Sequence, residues 1–390
     1  MALLLRRVGL CAAVSLGLAQ AFLPSASLPN SPSSKQHGPS SRSSVAGGRS
    51  SSGDVRGGGR SVGRASSAGA VMSGGENDLY VVGAGYLGKI IGEKWGSKHP
   101  DAKMHGETRS YTRHETFMPK GMTHVMRKNR EEEGVKCPNV VFCANPGGNK
   151  DYAREIFTAM EDVWDGTGMF VFTSSGSVYG EKDGGVVTED SPIDEAKVNS
   201  PLRIAELVTL DGGGCVVRLA GLYSAERGPH SVWLKEKRLN HHSQGKINLV
   251  SYKDAASAVV AALQAGINQI KDVDGAPEVK GKVFLAADHS PTTRRNICKA
   301  ALEHPIYFRR SMPKFTQDAT PPEFAVTGAR KVYDSSATRR VLGWEPEFPS
   351  IEEYFRIELE ELEESERRAE EKAAAEAAAA EEEKTAALPE

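Results

Sequence analysis

Paired cysteine chemistry is missing from this chain. Of Cys11, Cys137, Cys143, Cys215 and Cys298, no two are spaced C-x-x-C and none has a companion histidine at metal-ligand spacing. That spacing speaks against a disulfide framework or a zinc module, leaving small apolar residues suited to a core and a reducing or redox-neutral compartment. Charge of one sign is also missing. The formal net charge is −2, and residues 76–355 hold 36 basic against 37 acidic side chains. A near-neutral core offers no electrostatic case for nucleic acid or for a membrane surface. No stable membrane anchor is expected, because the apolar run from Val8 to Leu18 is too short to span a bilayer. No internal repeat is visible.

The two ends differ from the middle. Arg6-Arg7, the apolar run and Ala19-Gln20-Ala21 read as a signal peptide over 1–21 with an A-x-A cleavage site. Residues 22–75 are rich in Ser, Arg and Gly with one acidic residue, too polar to fold alone. With Phe22 at the junction, this leader resembles the bipartite leaders of proteins sent to complex plastids. An ordinary secretory signal followed by a linker is the alternative. At the other end, residues 356–390 hold thirteen acidic and five basic residues, and apolar spacing stops after Leu362. Propensity and i,i+4 pairs predict a solvated helical or disordered tail there.

Between these ends, apolar runs ending in turn residues alternate with helical spacing. Strands are expected at the start of "DLYVVGAGYLG" (78–88), at 102–106, in "NVVFCANPGG" (139–148), at 168–173, across 215–223, around 247–250 and at 282–288. Strand–helix alternation predicts an α/β fold with a doubly wound parallel sheet.

"GAGYLG" follows the first apolar strand and opens a helix, the context in which G-x-G-x-x-G denotes a dinucleotide site. Gly83 would allow the tight turn, Gly85 the approach of a pyrophosphate, and Gly88 close helix packing. Amides of Tyr86, Leu87 and Gly88 at the helix start would face the phosphates. About twenty residues on, "HGETRS" offers Glu107, followed by Thr108-Arg109. An arginine at the strand end suits a 2′-phosphate, so Arg109, with Arg113 as a helper, points to NADP over NAD. Both arginines equally suit a solvated surface. Ala144, Asn145 and Pro146, ending the fourth strand, are placed in the cofactor cleft.

Five ordered segments carry a resemblance: "VVGAGYLG", "FTSSGSVYG", "VVRLAGLY" followed by Gly228-Pro229, "NLVSYKDAASAV" and "KVYDSSATRRVLGWEPEFPSIEEYF". Over residues 78–355 the chain resembles an extended or atypical short-chain dehydrogenase/reductase of the NAD-dependent epimerase/dehydratase family. The resemblance implies a Rossmann-type core over 76–355 with an interleaved, smaller C-terminal substrate lobe. It also implies an NADP (or NAD) cofactor and a small-molecule substrate of sugar-nucleotide type. Ser175, three residues before the Val of VYG, is implied as the hydroxyl that bonds the reacting oxygen. The family pairs this serine with Tyr-x-x-x-Lys on the next helix, four residues before a Glu. Counting back from Glu206, those positions are Val198 and Leu202; a one-residue shift gives Asn199 and Arg203. Ser200-Pro201 reads as an N-cap and first helical residue, so the helix would start where the phenol belongs.

Arg203 and Tyr223 are therefore carried as substitute catalytic candidates, with Tyr179 and His230 as residues that more often pack than react. Two functions follow: an NAD(P)-binding oxidoreductase or epimerase/dehydratase-like enzyme, or a non-catalytic dinucleotide-binding redox sensor or assembly factor.

Overall fold

The computed structural model describes residues 75–386 apart from 112–117, 148, 150 and 321–330. The leader and Arg113 lie outside the described residues. Seven strands form one parallel sheet: β1 (Leu79–Val82), β2 (Met104–Thr108), β3 (Met122–Met126), β4 (Asn139–Phe142), β5 (Phe170–Ser175), β6 (Cys215–Leu219) and β7 (Val283–Ala286). Their order is β7-β6-β5-β4-β1-β2-β3. The chain starts mid-sheet, builds outward through β2 and β3, then returns to the other side of β1 at β4. Leu79 is therefore flanked by Met104 on one side and Asn139 on the other. This reversal opens a crevice at the carboxyl ends of β1 and β4, where open α/β sheets bind ligands.

β1, β4 and β6 are buried at every position, as strands covered on both faces must be. One face carries Val81, Val141, Val171 and Val217 under helices α1 (Tyr86–Lys98) and α6 (Tyr252–Ile270). The other carries Tyr80, Phe142, Phe172 and Val216 with Ile156 and Ala205 of α3 (Tyr152–Val163) and α4 (Pro201–Asp211). A short α2 (Arg130–Glu133) follows β3.

A separate core of Tyr223, Leu234, Leu249, Ile297, Phe315, Phe348 and Tyr354 builds the smaller lobe. It draws on α5 (Pro229–Trp233), α7 (Arg294–Glu303) and the start of α9 (Ile351–Ala386); α8 (Ser336–Leu342) packs near β7 instead. Residues 215–223 are two strands rather than the one expected. After Leu219 the chain leaves the sheet, and Gly221–Tyr223 pairs with Leu249–Ser251. Gly221 permits this, since a Cβ there would lie 3.2 Å from the Asn248 carbonyl.

β2 runs two residues beyond its expected end, taking Glu107 into the sheet, and β3 was not anticipated at all. β5 likewise extends to include both Ser174 and Ser175. Helix α4 starts as read, with Ser200 Oγ accepting the Arg203 amide and Pro201 in the first turn. Helix α9 buries Ile351, Tyr354 and Phe355 and is then mostly exposed as far as Ala379, with pairs such as Arg356–Glu360 at 2.5 Å. Among the described residues, no helix is long and apolar enough to cross a membrane.

Candidate functional site

The turn after β1 has the shape that the glycine spacing predicts. Gly83 adopts φ +92, and a Cβ there would lie 2.4 Å from the Ala144 amide nitrogen. A Cβ at Gly88 would lie 2.8 Å from the Gly83 carbonyl oxygen and 3.0 Å from Val81. Gly85 differs from both: its nearest neighbour would be 3.9 Å away, so the space above it is open. Gly85 caps α1 without a side-chain hydrogen bond, and Lys89 is the residue whose amide bonds back to its carbonyl. The amides of Tyr86, Leu87 and Gly88 therefore lack intrahelical acceptors and sit at the positive end of the helix dipole. Tyr86 turns its ring away, stacking edge-on against Tyr252 at 4.7 Å beneath Arg227, while Leu87 packs on the core. The amides remain for an anion.

Ala144 and Asn145 form the opposite wall. The Ala144 carbonyl accepts the Tyr152 hydroxyl at 2.7 Å, and Asn145 Oδ1 accepts the Gly147 amide at 2.7 Å. Cys143 points its thiol at the Gly83 carbonyl, 3.2 Å away; burial pushes that thiol up to about 12. Across the crevice, Arg109 Nη1 reaches the Gly147 carbonyl at 3.4 Å. It thus bridges the loops after β2 and β4. Glu107 takes no part, because its carboxylate faces the sheet interior and accepts Arg130 Nε and Nη2, both at 2.7 Å, and the Tyr80 hydroxyl at 3.2 Å.

The hydroxyls of β5 divide by face. Ser174 Oγ donates to Glu206 at 2.6 Å in the interior. The same carboxylate accepts Arg218 at 2.8 and 2.9 Å and Arg203 at 2.8 Å. Burial pushes Glu206 up, but Arg218, Ser174 and Arg203 outweigh it and hold the carboxyl below its ordinary range. Ser175, on the other face, is half-buried at the strand end, and its Oγ accepts the Ser177 amide at 3.1 Å. With the oxygen accepting, the hydroxyl proton remains to be donated outward.

Three comparisons bear on this geometry. A functionally unknown conserved protein from Silicibacter pomeroyi superimposes with TM-score 0.56 at 18% identity, over 73% of this chain and 99% of its own. dTDP-glucose 4,6-dehydratase from Bacillus anthracis, in complex with NAD, gives 0.52 at 14%, over 72% and 95%. Gre2 from Candida albicans, in complex with NADPH, gives 0.52 at 14%, over 72% and 96%. The Rossmann-type fold is common to all. No protein-family model matches the sequence, and no curated protein does.

Within this fold the substitute candidates are each paired or buried. Arg203 is engaged by Glu206. Tyr223 is completely buried in the smaller lobe against Tyr354, and burial pushes its phenol far up. His230 is buried between Tyr307 and Phe355, and burial lowers it to about 4. Tyr179 packs under Arg218 at 4.7 Å, with its hydroxyl on the Glu189 carbonyl. Val198 is exposed just ahead of α4, and Leu202 packs against the core.

Two residues that the sequence reading missed do approach the serine turn. Lys197 Nζ donates to the Ser177 carbonyl, and Lys331 Nζ donates to the Tyr179 carbonyl at 2.7 Å. Only Lys331 gave a hint, standing first in "KVYDSS"; no spacing rule links it to Lys197.

Proposed function

We propose that the protein binds a nicotinamide dinucleotide across the β1–α1 turn and acts on a carbonyl or hydroxyl oxygen beside Ser175. The observation that carries this is the contrast within one loop: side chains are barred at Gly83 and Gly88, while space stands open over Gly85. Bare amides at the positive end of α1 suit a pyrophosphate. Tyr86, Leu87 and Gly88 would hold it through their backbone, Ala144 and Asn145 would wall the crevice, and Arg109 would take a 2′-phosphate, favouring NADP. Such a cofactor supplies or accepts a hydride. Ser175 would donate a hydrogen bond to the reacting oxygen and so orient it, without giving up its proton.

A small substrate of sugar-nucleotide type fits this reading, in line with the sequence resemblance and with the dTDP-glucose dehydratase among the neighbours. A plastid destination is proposed on the leader alone. The test is calorimetric titration with NADPH and NADH, followed by reduction of a carbonyl panel by wild type and Ser175→Ala. Tight NADPH binding with turnover that falls in Ser175→Ala supports the reading; no binding of either cofactor overturns it.

One observation favours a second reading, a dinucleotide-binding sensor or assembly factor. Val198 and Leu202 stand where a proton-transferring Tyr and Lys would be expected. Tight cofactor binding without turnover on any carbonyl would select it.

A further inference from the structure

We propose that Lys197 and Lys331 form a receptor for an oxyanion group, carboxylate or phosphate, on the small molecule that docks beside Ser175. The inference rests on the reading above only in calling that molecule a substrate; the anion site itself stands on the geometry of the two lysines.

The lysines come from distant segments onto one turn. Lys197 ends the 3-10 turn Glu195–Lys197 before α4, and Lys331 precedes the short strand Val332–Tyr333. They hold alternate carbonyls of the chain leaving β5, those of Ser177 and Tyr179, while the Val178 carbonyl between them accepts the Asp194 amide. The Ser177 amide is the one bonded to Ser175 Oγ, so Lys197 touches the same residue that orients the serine.

The Lys331 segment is braced over the carboxyl edge of the sheet. Asn248 donates to the Lys331 carbonyl and accepts the Tyr333 amide, both at 2.8 Å, and Asn248's own carbonyl accepts the Gly221 amide just beyond β6. Val332 pairs with Val186, and the Tyr333 ring lies against Gly176, where a Cβ would be 2.6 Å from its hydroxyl. Both ammonium groups are thus held on backbone carbonyls of the turn that follows Ser175, not placed by flexible reach alone.

Neither lysine has a carboxylate within 4.0 Å among the described residues. The acidic groups around Lys331 are engaged elsewhere. Asp194 takes Lys182 at 3.4 Å and the Ala196 amide, and Glu181 accepts the amides of Asp183 and Gly185. Burial, and then Lys197, lower the Lys331 ammonium, with Lys182 adding to the repulsion and Asp194 and Glu181 opposing it. Each ammonium has three donors and uses one on a carbonyl. Two half-buried like charges with N–H groups left over are stabilised by an anion shared between them.

The test uses the full chain carrying Gly85→Leu, so that a phosphate cannot settle on the glycine turn instead. Inorganic phosphate and malonate are titrated separately by calorimetry, with and without Lys331→Gln or Lys197→Gln. Binding of at least one probe should weaken about tenfold or more in either glutamine variant, the scale of losing a hydrogen bond to a charged group. Lys331→Arg should largely retain it. Tighter phosphate marks a phosphorylated ligand, and tighter malonate a carboxylated one. No binding of either probe, or binding that survives both glutamine variants, overturns the proposal. NADPH titration of Lys331→Gln with Gly85 intact separates the two readings: lysine-dependent anion binding without NADPH binding removes the cofactor and keeps the receptor.

Discussion

Arg130 holds both carboxylate oxygens of Glu107, at 2.7 Å each, with side chains only 6% and 3% exposed. The acidic residue at the spacing where a ribose partner is looked for is therefore a structural ion pair beneath β2. Breaking one half of such a pair strands a buried charge. Arg130→Ala should cost about 3–5 kcal/mol by urea unfolding. Arg130→Met combined with Glu107→Leu should recover much of that. A single-variant cost near zero would refute the burial argument.

Cofactor selection should then fall to Arg109, which is exposed and bonded only loosely to Gly147. Arg109→Ala is expected to weaken NADPH binding about tenfold, as loss of a charged hydrogen bond would, and to leave NADH affinity and thermal stability unchanged. Calorimetric titration of both cofactors reads this directly. Equal losses for the two would show that Arg109 does not meet a 2′-phosphate.

The three glycines should separate folding from binding. Gly83→Ala must place a Cβ 2.4 Å from a backbone nitrogen at positive φ, so a loss of about 1–3 kcal/mol or more in stability is expected. Gly85→Leu enters open space. It should melt like wild type and yet bind neither cofactor. A Gly85→Leu protein with normal NADPH affinity would rule out the turn as the pyrophosphate site.

Asp288 offers a pH test. It is buried at the end of β7 with Oδ2 unpartnered, and burial raises its carboxyl to about 8. Its folded value lies above its unfolded one, so the folded state binds the extra proton. That stabilisation is fully present below the unfolded value near 4 and is lost as pH rises through about 8. Asp288→Asn removes the titration and keeps an uncharged group. Its melting temperature should gain on wild type between pH 6 and pH 9, by about 2–4 °C per kcal/mol. A constant difference across that range would contradict a carboxyl held protonated by burial.

Much of the turn between β1 and α1 was legible because it is local. The Gly83-x-Gly85-x-x-Gly88 spacing, the apolar β1 and the uncapped helix start lie within ten residues, and their constraints are steric. The Ser200-Pro201 helix start was legible for the same reason. Strand limits were less so. Glu107 and Thr108 do not look like a buried strand, and only pairing with β1 and β3 draws them into the sheet.

The sequence by itself determined the alternation that builds a parallel sheet, the glycine turn at its centre, and an acidic end without an apolar stripe, for which helix and disorder both stayed open. Each depends on periodicity or sterics over a few residues. Tertiary structure alone decided which polar groups were free. Glu107 is held by Arg130 and Glu206 by Arg218, whereas Lys197 and Lys331 bond to one turn and have no carboxylate within 4.0 Å among the described residues. Whether a charge is paired depends on which distant segment packs against it. That is a property of the folded chain, because Coulomb and hydrogen-bond energies follow separation in space rather than along the sequence.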